Sequence, residues 1–307
     1  MSPLRAAVIG AGRIGSRLDM PGASLPLTHA GGFCAGGFEL EELVDVAADV
    51  QAEAARWNCR GYTDFRAMMA AEKPDVISLC VPAAARAELV RAALDYQPKA
   101  IIAEKPLTQS SAESAAIGAA CEKAGVPLIV NYTRRFVPAF QALAGMTAMT
   151  ATIRYAKGVR HNGTHALDLC RLLFGECLSA AALARKNDFW PDDPSVSAFL
   201  TFQRCPEVFL QALDERCFTL FEVDIVTPQS RLVVDQDGRR LRRWHVADAT
   251  GIPPGLRLVE GESQETGAAN AMLNLMRHTK DVVAGAKPLC TAADAVAAQV
   301  LAERLSA

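Results

Sequence analysis

The run Ala6-Ala7-Val8-Ile9-Gly10-Ala11-Gly12-Arg13-Ile14-Gly15 constrains this chain more than any other part of it. A short apolar stretch ends in three glycines spaced G-x-G-x-x-G, and a helix-forming stretch follows. Gly10 permits a tight turn, Gly12 lets the backbone come close to a pyrophosphate, and Gly15 lets helix and strand pack closely. The N–H groups that open the helix would then face the anion. The pattern is weak by itself. It gains force from its place on the first strand of an alternating strand and helix series.

That series is clear in the first half. Apolar runs at 5–9, 42–45, 76–81, 100–103 and 128–131 read as strands, and between them lie helical patterns at 50–58, 64–72, 85–96 and 111–125. The rhythm predicts βαβ units and a parallel sheet. After about Tyr132 the period changes. Segments 149–158, 196–203, 208–227 and 230–246 alternate as strands of a mostly antiparallel sheet, with Gln236-Asp237-Gly238 as a hairpin turn. A helix at 165–175 interrupts them, helices at 268–285 and 291–305 close the chain, and 249–264 reads as the clearest loop. The basic run at 238–244 reads as the solvated edge of a hairpin.

With 307 residues, half of them hydrophobic, the chain can bury two cores. The expected fold class is α/β, a Rossmann domain at 1–130 followed by an α+β domain at 131–307 for substrate binding and oligomerisation. Lysine and arginine total 32 against 34 acidic residues, so nothing in the charge calls for nucleic acid or an anionic membrane as partner. A small molecule is the expected partner. The apolar runs are far short of a membrane span and the first strand starts too early for a signal sequence, so a cytoplasmic protein is expected. The nine scattered cysteines form no CxxC pair and read as reduced, mostly buried thiols.

The glycine fingerprint requires an acid at the end of the second strand for the ribose hydroxyls, and Asp45 is placed for this. It lies later than usual, which an insertion at 19–38, rich in glycine and proline, would explain as a loop near the cofactor. A carboxylate there repels a 2′-phosphate and no basic residue follows until Arg56, so NAD is expected, with NADP the alternative. Further along, Glu104-Lys105-Pro106 follow the strand at 100–103, where an open parallel sheet lines its ligand crevice. A lysine there can hold or protonate a substrate oxygen.

These motifs, with Asp75-Val76-Ile77-Ser78-Leu79-Cys80-Val81-Pro82, the stretch Asn131 to Pro138 and Gly163-Thr164-His165-Ala166-Leu167-Asp168, resemble the Gfo/Idh/MocA oxidoreductases over nearly the whole chain. The resemblance implies a Rossmann domain, a second domain with a large open antiparallel sheet, a nicotinamide cofactor, and hydride exchange with a hydroxyl or keto carbon of a sugar, sugar derivative or cyclitol. It places the cofactor on Gly10, Gly12, Arg13, Ile14, Gly15, Asp45, Val81, Pro82, Glu104 and Lys105. Lys105 matches the family lysine and His165 the family histidine, the expected proton-transfer group. Where the family pattern D-x-x-x-H-x-x-D has its first aspartate, this chain has His161, a third catalytic candidate. Lys105, Arg134, Asn162, Thr164 and His165 are the expected substrate contacts.

The His161/His165 pair also has the four-residue spacing of a zinc site, but Asn162 follows where a metalloprotease has its glutamate and no third ligand is near, so no metal is expected. Trp190, placed in a loop, offers either an indole face for a sugar ring or a packing anchor. A sheet with one apolar face should pair with a second copy, giving a homodimer or homotetramer. Two other functions fit the same motifs: a non-catalytic NAD(H)-binding regulator, and an enzyme that uses bound NAD transiently for hydrolysis or epimerisation.

Overall fold

The computed structural model describes residues 2–249 and 255–307. It divides into two compact units, Met1–Phe136 with Ala269–Ala297, and Val137–Ala268 with Ala298–Ala307.

The first unit holds a six-stranded parallel sheet of β1 (Arg5–Ile9), β2 (Glu39–Val44), β3 (Arg60–Tyr62), β4 (Val76–Leu79), β5 (Ala100–Ala103) and β6 (Leu128–Val130), in the order β3-β2-β1-β4-β5-β6. This is the doubly wound order, with its reversal between β1 and β4. Every residue of β4, β5 and β6 is buried, as expected of parallel strands covered on both faces. The crossovers carry α1 (His29–Ala35), α2 (Val50–Arg56), α3 (Phe65–Glu72), α4 (Ala83–Leu94) and α5 (Ser111–Ala124). Side chains of Asp64 and Ser110 cap α3 and α5 at their starts, and Gly125 in the left-handed region ends α5.

The expected strands are present, with β2 starting three residues earlier than read and β4 ending two residues sooner. The three-residue β3 has too little sequence for a periodic signal. The 19–38 segment is only partly a loop, because it contains α1. Gly31 and Gly32 in that helix are packing residues. A Cβ on Gly31 would come within 2.6 Å of the Asp19 carboxylate, and one on Gly32 within 2.9 Å of Met272. Composition alone therefore misread close packing as turn.

The second unit is built on an eight-stranded sheet. Its strands are β7 (Thr150–Tyr155), β8 (Cys177–Trp190), β9 (Asp193–Phe202), β10 (Cys205–Ala212), β11 (Glu222–Val226), β12 (Ser230–Asp235), β13 (Arg240–Ala249) and β14 (Gly255–Glu265), ordered β14-β13-β12-β11-β7-β10-β9-β8. Only the β7–β10 pair is parallel. The short α6 (Pro138–Ala142) and then α7 (Thr164–Phe174) belong to this unit. Inward residues of the strands, such as Ile153, Val196, Leu200, Leu210 and Ile225, form its core with Leu167, Leu173 and Phe174 of α7.

Three sequence expectations change here. Most of the stretch expected as a loop at 249–264 is β14, which buries none of its residues and owes its order to pairing with β13; residues 250–254 lie outside the described residues. The basic run at 238–244 is not an outer edge, because β14 lies beyond β13, and Arg240 and Arg242 pair with Glu265 and Asp235. Trp190 ends the alanine-rich β8 instead of standing in a loop.

The closing helices are α8 (Ala271–Val283) and α9 (Ala292–Ser306). Expected in the second domain, α8 is part of the first unit. Met272 and Met276 pack against the bare backbone of Gly32, and Lys280 donates to the Gly37 carbonyl at 2.9 Å while lying over the Phe38 ring. Of the nine thiols, four are buried, three are half-buried, and Cys34 and Cys217 are exposed, fewer buried than expected; among the described residues none forms a disulfide. No helix among the described residues is long and apolar enough to cross a membrane.

Candidate functional site

In the first unit the carboxyl ends of β1, β2 and β4 open into a cleft of about 400 Å³. Ile9, Gly10, Gly12, Asp45, Val81 and Pro82 help to line it. This is where a doubly wound sheet binds its ligand. Gly10 has φ +96°, and a Cβ there would lie 2.8 Å from the Cys80 carbonyl carbon. At Gly15 a Cβ would overlap the Gly10 carbonyl oxygen, whereas nothing lies within 4 Å of one at Gly12. The first and third glycines thus set the turn, and the second leaves open space for a ligand against the backbone. Arg13 and Ile14 follow in a π-helical turn, Arg13–Arg17, with Arg13 exposed and Ile14 half-buried.

Asp45 is held at the rim by two backbone donors, Ala11 N at 2.8 Å and Ala47 N at 3.0 Å. The first bond ties its carboxylate to the glycine turn, and the second is local, from two residues further along the chain. Val46, Ala47 and Ala48 beyond it are exposed and uncharged. The cation beside this rim, Arg17, is engaged by the Ala11 carbonyl at 2.8 Å and by Asp49 at 2.7 Å, and with a carboxylate at the rim the cleft fits NAD.

At the end of β5, Glu104 is the hub of a buried network. Its Oε1 accepts from His29 Nε2 at 3.1 Å and from Asn131 Nδ2 at 2.7 Å, and its Oε2 accepts from Lys105 N at 3.3 Å. The other imidazole nitrogen of His29 is 2.5 Å from Ser78 Oγ. Arg86 donates to the carbonyls of Glu104 and Pro106 on either side of Lys105. His29 has no exposed surface. Burial opposes its charge, but the neighbouring Cys80 and Glu104 outweigh burial and raise its pKa. Burial likewise works against the Glu104 anion, and the hydrogen bond and charge of His29 reverse this and hold its carboxyl below the ordinary range. The pair is an ion pair inside the unit, and it fixes the backbone that carries the half-buried Lys105.

Sequence reasoning named Glu104 and Lys105 but missed His29, Ser78 and Asn131 as their supports. The one available signal was His29 in a Thr-His-Ala stretch within the presumed loop, where Thr28 caps α1 and places the imidazole on its first turn. Arg134 lies half-buried in the turn Thr133–Phe136. Its neighbour Arg135 is buried in a structural pair with Asp294 at 3.1 Å and donates to the Leu289 carbonyl.

In the second unit His161 and His165 are not one regular helix. His161 is on a π-helical turn, Gly158–Gly163, which runs directly into α7. Two acids from the neighbouring β8 and β9 strands hold that turn. The Asp193 carboxylate accepts from Arg160 N at 2.9 Å and His161 N at 2.8 Å, and Asp188 accepts from Lys157 N at 2.8 Å. Gly158, at φ +81°, is required because a Cβ would overlap the Asp193 carboxylate. Gly163 is required because a Cβ would come within 2.9 Å of the Tyr155 ring.

His161 is exposed, whereas His165 is 8% exposed and Asp168 1%. The latter two share a face of α7, one turn apart. Thr164 is buried with its hydroxyl donating to Arg160 O at 3.1 Å, and Asn162 Nδ2 donates to Ala156 O at 2.9 Å. Both side chains therefore shape the turn. The ring of His161 lies 5.3 Å from that of Trp190.

A doubly wound sheet with a glycine turn, a rim acid and a ligand cleft is the build of a dinucleotide-binding protein, to which an antiparallel-sheet unit is joined. Residues 4–132 match the model of the Gfo/Idh/MocA oxidoreductase family, NAD-binding Rossmann fold. Among curated proteins it is 29% identical to D-apiose dehydrogenase of Paraburkholderia graminis over 71% of this chain and 66% of that protein. It is 36% identical to D-xylose 1-dehydrogenase (NADP(+)) 2 of Haloferax volcanii over 28% of this chain and 26% of that one. The matches thus span less than two thirds of these relatives. The fold as a whole is that of UDP-N-acetylglucosamine 3-dehydrogenase from Acidithiobacillus ferrooxidans, with a TM-score of 0.79 at 19% identity over 99% of this chain and 97% of that one. It is equally that of a levoglucosan dehydrogenase solved with NADH and L-sorbose, with a TM-score of 0.79 at 16% identity over 99% and 96% of the two chains.

Proposed function

We propose that this protein is an NAD-dependent oxidoreductase that interconverts a hydroxyl and a keto group on a sugar, sugar derivative or cyclitol. The observation that carries this is the cleft at the ends of β1, β2 and β4, with open space at Gly12 and Asp45 fixed at its rim. The curated relatives, by name dehydrogenases of D-apiose and D-xylose, support the substrate class. The bound nicotinamide supplies the hydride acceptor, or the donor in reduction.

The chain supplies what remains. Oxidation of the alcohol carbon takes a hydride from C–H and a proton from O–H, and leaves a carbonyl. His165 accepts that proton, since imidazole titrates in the range where such a transfer is fastest. Lys105 donates to the same oxygen and stabilises the alkoxide as it forms. Glu104 and His29 hold the lysine backbone in place, so Glu104 serves the cofactor site through the loop it orders. His161, where the family pattern carries an acid, serves as a further proton-transfer group, and Arg134 and Asn162 as polar substrate contacts. In reduction each proton step runs in reverse.

Net redox is read as the absorbance of reduced nicotinamide with NAD+ and a panel of pentoses, hexoses, inositols and nucleotide sugars. His165→Asn should lower kcat by about 10²–10⁴ while cofactor binding, read by NADH fluorescence, stays within about twofold. Cofactor binding without turnover anywhere on the panel would replace this reading with that of an NAD(H)-binding regulator. Product isomers without net absorbance change would point to transient use of NAD.

The unit's sheet supports the expectation of a homodimer or homotetramer. On the face away from α7, Phe199 and Phe209 face each other across β9 and β10 with ring centroids 5.1 Å apart, and Phe209 is 41% exposed. A second copy covering this face would remove both rings from water.

A further inference from the structure

Beside His161, the second unit carries two aromatic rings, Phe189 and Trp190, to which the proposed reaction assigns no role. Trp190 and the preceding Phe189 end β8 and are 40% and 48% exposed. Their rings meet edge to face at 4.8 Å, His161 lies tilted against the indole at 5.3 Å, and Lys157 Nζ stands 4.4 Å over the Phe189 ring. Large aromatic surface left in water is unfavourable and marks a place where something binds.

The array is also held rigidly. Trp190 pairs with Asp193 across the β8–β9 hairpin, and the Asp193 carboxylate grips the backbone of His161. Asp188, two residues before Trp190, is 6% exposed, accepts from Lys157 N at 2.8 Å and from Ser195 Oγ at 2.9 Å, and so ties the strand end to the histidine turn. Strand and turn therefore position indole, phenyl and imidazole as one surface. A preformed platform loses little conformational entropy when a ring stacks on it.

From this geometry we infer that Trp190 and Phe189 form a stacking subsite for a second ring of the substrate, so that the preferred substrate is a glycoside or a nucleotide-linked sugar. The inference rests on the reading above in one respect: the reacting ring is handled at His165, on the first turn of α7, into which the turn that carries His161 runs directly. A ring joined to the reacting sugar would extend past His161 onto the indole. Sugar C–H faces and nucleobases both stack on indole, and the two sources share the chemistry of a flat or apolar ring face.

The test uses the full chain saturated with NADH, so that no nucleotide probe competes for the dinucleotide cleft. Calorimetry measures the affinity of glucose, cellobiose and UDP-glucose for wild type, Trp190→Ala and Trp190→Phe. Cellobiose separates the glycoside source, and UDP-glucose the nucleotide source. Loss of the indole should weaken at least one of the two extended probes by about tenfold, the worth of one stacked ring, and Trp190→Phe should recover most of it. Glucose should bind all three proteins alike. Equal affinities of wild type and Trp190→Ala for both extended probes would overturn the subsite. So would an altered oligomeric state of Trp190→Ala with unchanged probe binding, since the rings would then face a second copy. Because this readout is binding, it stands apart from turnover: a chain that binds extended probes through Trp190 but never reduces or oxidises a sugar would refute the proposed activity and keep the subsite. Trp190 is partly exposed, so an unchanged circular dichroism spectrum is expected for both variants.

Discussion

His29→Leu removes the cation from the buried pair without removing the apolar bulk. In the wild type the Glu104 side chain is 12% exposed and His29 0%. The substitution leaves the carboxylate with the Asn131 amide, the Lys105 N–H and the nearby Lys105 charge, and it strips Ser78 Oγ of its imidazole partner. Breaking one half of a buried pair costs about 3–5 kcal/mol, because the remaining charge stays desolvated. Glu104→Gln removes the charge itself, so H29L/E104Q should cost less than the sum of the singles by at least about 1 kcal/mol. Urea unfolding of the three variants measures both quantities.

The pH dependence follows from the two shifts. His29 is raised above the ordinary 6.5, so its contribution is complete below that value and declines as pH rises toward the raised one. Glu104 is lowered from 4.5, so its contribution is complete above that value and fades as pH falls. The stability gap between wild type and H29L should therefore be widest between these two values and narrow on either side. A single-site loss under about 1 kcal/mol, additive variants, or a gap that does not vary with pH would refute the account of the Lys105 loop.

Other consequences are as direct. Asp45→Ala should weaken NADH binding by about tenfold, the worth of a charged hydrogen bond, and narrow the preference over NADPH, as read by fluorescence titration. Gly158→Ala forces a side chain into a left-handed position and onto Asp193; it should destabilise the protein by about 2 kcal/mol or more and, in an activity assay, depress kcat more than cofactor affinity. Phe209→Glu should shift the protein to a monomer in light scattering if the open sheet face pairs with a second copy. Lys105→Met should lower kcat while the melting temperature changes little, since the loop is held through its backbone.

The Rossmann half was legible because parallel strands buried on both faces are continuous apolar runs, and because the glycine turn and Asp45 act through local backbone geometry that residue type alone dictates. The antiparallel half was legible where one face is buried. It failed at β8 and β14, whose residues are almost all exposed, so that pairing with a neighbour is the only thing that makes them strands. The same limit applies at the candidate site. Lys105 and His165 are named by motifs, and the glycine content at 31 and 32 reads as a turn until α8 is seen packing against it.

What the sequence by itself determined is the dinucleotide turn, the order of the two folds and the identity of the proton-transfer candidates, since each depends on neighbours within a few residues. Only the tertiary structure decided how they are held. His29 reaches Glu104 across 75 residues, and Asp193 reaches the His161 backbone across 32. Separations of that size leave no periodicity in a chain, and the contact exists only once folding has excluded water and made an unpaired charge too costly to leave.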